Sequence, residues 1–280
     1  MSAAEPRRLA PSDSVKVTNL EGSSPYVLIC DHASNFVPPP YGTLGLAEPD
    51  LDRHIAWDPG ALPVARRMAA VLDATLIESR ISRLVIDCNR ALAAPDLILE
   101  VSVSENIVVP ANQRLSAEER EARIALSWRP FHNAIEAVVD ARRAVGRDTV
   151  LVSVHSFTPL FKARQRPWQI GILHDDDVSL AAPLIAALEG VGGLTVGDNE
   201  PYSPADGVYY TLERHAGSRG LSSAMIEIRN DEITEDKGQS LWGDRLGEVL
   251  AALAGTWNQN ADETGIAGRL GVRQKISRGR

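Results

Sequence analysis

Three stretches constrain this fold more than anything else in the sequence: Tyr26–Cys30 (YVLIC), 149–154 (TVLVSV) and 224–228 (AMIEI). Each is a short and nearly continuous apolar run. A strand with one wet face alternates apolar and polar residues, so a run without that alternation needs cover on both faces. Segments of helical length lie between the runs, with helices expected over 61–72, 116–145 (bent near Pro130), 178–189 and 239–253. Further strands are expected at 74–77, 84–88, 168–173 and near Thr195. Residues 91–115 read as a long loop, and 199–218 as a loop with a helical segment. Strands and helices that alternate without a strong linker or an internal repeat indicate the α/β class. The expectation is one three-layer domain over 15–254 with a mixed, mostly parallel sheet. A flexible arm is expected at 1–14, and a mobile Gly-, Asn- and Arg-rich tail at 255–280.

Charge and cysteine content narrow the function. Lys and Arg number 29 against 37 Asp and Glu, a net −8. Such a surface repels nucleic acid and acidic lipid, so neither is expected as a partner. No run is long enough to span a bilayer, which makes a cytoplasmic setting the default. Cys30 and Cys88 lie in apolar runs and read as buried free thiols; two cysteines support neither a disulfide framework nor a four-cysteine zinc site. The segment Gly190-Val191-Gly192-Gly193 falls between a helix and a strand, the reverse of the dinucleotide-binding context. A phosphate loop, a Gly-x-Ser-x-Gly elbow and a His-Glu-x-x-His zinc signature are all absent.

What remains is a set of residues at strand ends. His32 and His155 each stand just after a buried run and before small polar residues. On neighbouring strands they would converge at one sheet edge, where neutral imidazoles with a carboxylate make a catalytic zinc site. The plainer alternative is two histidines bonded to backbone carbonyls. Asp31, Asp58 and Glu227 are the candidate carboxylates. Asp58 precedes Pro59-Gly60 at a helix start, where an acid is often only a cap. Glu227 sits inside the strand AMIEI, a costly place for a carboxylate unless it is paired, functional or turned outward. Arg83, Arg90 and Arg229 flank the same strand ends, and a planar guanidinium suits an anionic small substrate. His54 and His132 read as helix residues in packing or surface roles, His174 as solvated, and His215 as ambiguous.

In sequence order, several segments resemble the N-formylglutamate amidohydrolase family: Cys30-Asp31-His32-Ala33-Ser34-Asn35, Trp57-Asp58-Pro59-Gly60-Ala61, Ser82-Arg83 through Asp87-Cys88-Asn89-Arg90, His155-Ser156-Phe157-Thr158-Pro159, Arg166-Pro167-Trp168, 197–202, 211–215 and Glu227-Ile228-Arg229-Asn230-Asp231. The resemblance spans roughly residues 25–250. It implies a phosphorylase/hydrolase-like fold related to zinc carboxypeptidases, and a zinc-dependent amidase that releases formate and L-glutamate from N-formyl-L-glutamate in histidine degradation. Related carboxypeptidases carry a glutamate ligand where this chain has Asn35, so the third ligand is expected from Asp58. On this reading zinc is held by His32, Asp58 and His155, its bound water is the nucleophile and Glu227 is the general base. Arg83 or Arg90 would stabilise the oxyanion, and His215 would be a second proton donor or a wall. Asn35 counts among the substrate-binding residues, Asn89 and Arg90 would hold the substrate α-carboxylate, and Arg229 its side-chain carboxylate. The partner is then a small anionic N-acyl amino acid. An amidase for another N-acyl amino acid, or a silent small-anion or metal-binding homologue, is the alternative.

Overall fold

The YVLIC run forms a strand with every residue buried, and the two packed faces explain why it lacks alternation. Tyr26, Leu28 and Cys30 point into one apolar cluster, Val27 and Ile29 into another. The computed structural model describes residues 13–102 and 105–264, so the expected arm and tail fall largely outside the described residues.

Seven strands form one sheet: β1 (Val15–Thr18), β2 (Tyr26–Cys30), β3 (Thr75–Ser79), β4 (Val150–Phe157), β7 (Ile170–Leu173), β8 (Val196–Asp198) and β9 (Ser223–Arg229). A separate small hairpin pairs β5 (Leu160–Phe161) with β6 (Arg164–Gln165). The sheet order is β1-β3-β2-β4-β9-β7-β8. The four central strands β3, β2, β4 and β9 run parallel, while β1 pairs antiparallel to β3, β7 pairs antiparallel to β9, and β8 runs parallel to β7. This is the mixed, mostly parallel sheet of an α/β sandwich.

Helices cover both faces. One carries α1 (Ala61–Leu72), α4 (Ala181–Gly190) and α6 (Asp236–Thr264), whose Met68, Leu184 and Trp242 join one apolar cluster with residues of β2, β4, β7 and β9. The other carries α3 (Arg129–Ala144) and α5 (Tyr210–His215) through Phe131, Ile135 and Leu212. The short helix α2 (Ala117–Arg123) opens on a capping box in which Ser116 and Glu119 each accept from the other's backbone N–H. It runs on into α3 without a break. Ile124–Trp128 take a wider π turn just ahead of Pro130, where a ring without an N–H has to be accommodated.

Three expectations change. Residues 84–88 are not a strand; Leu84, Val85 and Ile86 turn into a third apolar cluster with Ile55, Leu97 and Trp128. The strand carrying His155 runs to Phe157, so this histidine lies within it and not past its end. Helix α6 extends beyond 253, to Thr264. No helix among the described residues is long and apolar enough to cross a membrane.

Candidate active site

The parallel register sets the geometry. Leu151 of β4 and Met225 of β9 face the α3 cluster, and strand alternation puts His155 and Glu227 on that same side. The two residues lie directly opposite each other, with Gly171 of β7 on the other flank of Glu227. A Cβ at Gly171 would sit 1.9 Å from the Glu200 carbonyl, so only glycine lets that loop close over the sheet here. His32 follows β2, and Asp58 comes from the turn before α1, tied back by its N–H donating to the His32 carbonyl at 3.0 Å. The turn needs Gly60, which has φ +81° and whose Cβ would lie 2.3 Å from the Ile233 carbonyl. C-terminal strand ends of this kind are where open α/β sheets place their ligands.

The imidazoles are oriented by carboxylates on their far sides. His32 Nε2 lies 2.7 Å from Asp87 Oδ1, and His155 Nε2 lies 3.1 Å from Asp31 Oδ2. Ser153 Oγ donates to Asp31 Oδ2 at 2.8 Å, and Thr211 Oγ1 to Asp31 Oδ1 at 2.5 Å. A carboxylate only accepts, so each ring places an N–H on Nε2 and turns Nδ1 inward. The inward atoms meet on Asp58, whose Oδ2 is 2.9 Å from His155 Nδ1 and 3.3 Å from His32 Nδ1. These three buried residues offer one ligand atom each within 4.8 Å of one another and could hold a metal ion. Two imidazoles and one carboxylate, each imidazole backed by an acid, make a donor set that fits a divalent cation with an open position.

The electrostatics point the same way. Burial alone would lower both imidazoles. Asp87 and Asp58 instead raise His32, and hydrogen bonds to Asp31 and Asp58 raise His155 well above its ordinary value. Asp58 stays far below the usual carboxylate range despite burial, held there first by Arg83 and then by His32. The centre therefore favours positive charge between its groups. Glu227 is the exception. Burial pushes its carboxyl up to about 7, and its Oε2 has no hydrogen-bond partner among the described residues.

These groups border a cavity of about 610 Å³. His32, Asp58, Arg83, Asn89, Arg90, His155 and Glu227 all line it. Arg83 Nη1 is 3.2 Å from Asp58 Oδ1, and Nε donates to the Ile55 carbonyl at 3.2 Å. Arg90 donates through Nε to Asp96 at 2.7 Å, and Asn89 Nδ2 donates to the Val208 carbonyl at 2.5 Å.

Three expected site residues lie elsewhere. Asn35 donates to the Leu51 carbonyl at 3.1 Å and to Asp52 at 3.0 Å, outside the cavity lining. His215 is buried on α5, 2.8 Å from His132 Nδ1, with burial holding its pKa down at about 3; it neither lines the cavity nor offers it a proton. Arg229 is captured by Asp231 at 2.7 Å and Glu232 at 3.0 Å, and clamps the carbonyls of 166–168.

Other residues at the cavity were missed. His54, expected on a helix, sits in a turn at the cavity wall with its Nδ1 3.5 Å from Asp58 Oδ1. Asp87 lay in plain view as an acid inside an apolar run, the same signal that singled out Glu227. Arg166 stood within the resembling segment Arg166-Pro167-Trp168 but was given no role there.

The sequence matches the family described as N-formylglutamate amidohydrolase over residues 24–234. The chain belongs to the N-formylglutamate amidohydrolase family. Two solved structures share its fold. Gene product Atu2144 from Agrobacterium tumefaciens is 43% identical with a TM-score of 0.84, over 87% of this chain and 95% of that one. An N-formylglutamate amidohydrolase from Ralstonia eutropha JMP134 is 18% identical with a TM-score of 0.68, over 88% of this chain and 99% of that one. Among curated proteins, none matches the chain. Family membership makes the chain a hydrolase of the amidohydrolase type, with formylglutamate amide cleavage as the family's general chemistry.

The backing carboxylates yield a direct prediction. Asp31→Asn weakens the hold on the His155 Nε2–H, so cation affinity should fall about 10–100-fold, as for other groups that orient metal ligands. Zinc titration against a competing chelator measures it; unchanged affinity would mean that Asp31 does not orient His155.

Proposed function

We propose that this chain hydrolyses N-formyl-L-glutamate to formate and L-glutamate, with one zinc ion held by His32, Asp58 and His155. The observation that carries this reading is the meeting of two imidazole Nδ1 atoms and a carboxylate oxygen on a cavity wall, beside a buried glutamate with an unpartnered oxygen. Zinc bound there supplies Lewis-acid activation of the attacking water and of the formyl carbonyl.

The protein groups have separate tasks. Asp31 and Asp87 hold the Nε2–H of each imidazole, so Nδ1, which lies against Asp58 here, is the nitrogen that would give up its proton and turn to a cation. Glu227 accepts a proton from water at Oε2 and returns it to the departing amine nitrogen. A carboxyl near neutrality can do both, because it gains and loses a proton at working pH. Water adds across the C–N bond, hydroxyl to the formyl carbon and proton to nitrogen. Arg83 faces the carbonyl oxygen as its charge develops. Asn89 and Arg90 border the α-carboxylate. A small anionic N-acyl amino acid is the partner this arrangement accepts, with no nucleic acid or membrane involved. Buried free thiols at Cys30 and Cys88 suit a cytoplasmic enzyme.

Metal content measured together with formate release tests the reading. About one zinc per chain is expected, with turnover that a chelator stops and added zinc restores. Metal without release of formate from any N-formyl amino acid would reject the substrate; activity that survives chelation would reject the cation.

A further inference from the structure

The arginines bordering the cavity differ in what already balances them. Arg83 lies against Asp58 and Arg90 against Asp96. Arg164 stands exposed at the hairpin. Arg166 is only 7% exposed, yet no carboxylate among the described residues comes within ion-pair reach of it. Its guanidinium is held between aromatic faces, 4.5 Å from the Tyr202 ring centre, 4.6 Å from Phe161 and 5.6 Å from Phe157. Nη1 donates to the Thr158 carbonyl at 3.3 Å, and a further side-chain hydrogen bond joins the guanidinium to Tyr202. Buried charge without a counter-ion is costly, and ring faces offset only part of that cost. Such a guanidinium keeps most of its planar donor fork available, the geometry that recognises a carboxylate.

The backbone of Arg166 is fixed as well. Its N–H donates to the Pro159 carbonyl at 2.9 Å, and its own carbonyl accepts from Arg229 Nη1 at 3.3 Å. Arg229, itself held by Asp231 and Glu232, thus positions the segment that carries Arg166. The cavity also carries Asp87, Asp96, Glu200 and Asp206, so an anion is welcome only where a guanidinium faces it.

We propose that Arg166 receives the side-chain carboxylate of the substrate and selects dicarboxylic over neutral N-acyl amino acids. The inference rests on the proposed amidase reading and assigns to Arg166 the task that the sequence suggested for Arg229.

Steady-state kinetics on N-formyl-L-glutamate and its neutral counterpart N-formyl-L-glutamine test it, in wild type, Arg166→Gln and Arg166→Lys. Arg166→Gln should lower kcat/KM for the glutamate substrate about 100-fold, mainly through KM, and change the glutamine substrate less than about threefold. Arg166→Lys should recover part of the loss, because it restores charge without the fork. Retained activity on the glutamine substrate shows that the variant folds. Equal losses on both substrates, or no loss on either, would overturn the assignment. Calorimetric binding of glutarate to the zinc-loaded protein separates this inference from the amidase reading. Glutarate binding lost in Arg166→Gln, in a wild type that releases no formate, would sustain the anion site and reject the amidase. Glutarate binding unchanged by the substitution would reject the anion site.

Discussion

Glu227→Gln is expected to lower kcat about 10²–10⁴-fold and to leave the cation bound. The amide has nearly the same shape but cannot take a proton from water. Glu227 supplies none of the converging ligand atoms, so their geometry should survive. Stability adds an independent check. Burial raises the folded-state pKa of Glu227 to about 7, above an ordinary value of 4.5. Between those values the folded cation-free protein binds a proton that the unfolded chain does not. This group's contribution to stability is therefore present at low pH and fades as pH rises through about 7. Glutamine removes that dependence, so the cation-free variant should be as stable as wild type or more so above pH 7. Thermal melts across pH alongside kcat measure both effects, and undiminished turnover would remove Glu227 from the mechanism.

His155→Ala should abolish both metal loading and formate release. It deletes one of the three proposed ligands and frees two buried acids, Asp31 and Asp58, that the ring now bridges. Stranding buried carboxylates is itself destabilising, by about 3–5 kcal/mol for a broken buried pair. A fall in melting temperature should accompany the loss of metal. His174→Ala is the control, since His174 pairs with Asp198 and lies outside the cavity lining; it should keep full metal content and turnover. Retention of one zinc per chain in folded His155→Ala would contradict the assigned ligand set.

The central strands were legible because their physics is local. A run such as YVLIC or AMIEI has few options other than burial between two layers, and chemistry at its end inherits its direction. His32, His155 and Glu227 meet for that reason. Strand β1 was not legible: VKVT is half-exposed at the sheet edge, with Lys16 pointing to water, and it carries little apolar signal. The reverse error arose at 84–88, where LVIDC is as apolar as a strand but fills a cluster built by loops. An apolar run reports burial, and only its neighbours decide whether it pairs. Arg229 shows how local charge can override position. It follows Glu227 on the same strand, yet Asp231 and Glu232, two and three residues on, take its guanidinium. The role of Arg166 was hidden for the opposite reason, since its surroundings come from residues 157, 161 and 202, brought together only by the hairpin and the loop after β8.

Crystals of the zinc-loaded protein, with anomalous data collected at the zinc edge, probe the site most directly. One peak is expected about 2.0–2.2 Å from His32 Nδ1, His155 Nδ1 and an Asp58 carboxylate oxygen, with a fourth position open towards Glu227. A peak elsewhere, or one bound through the Nε2 atoms that now face Asp31 and Asp87, would contradict it.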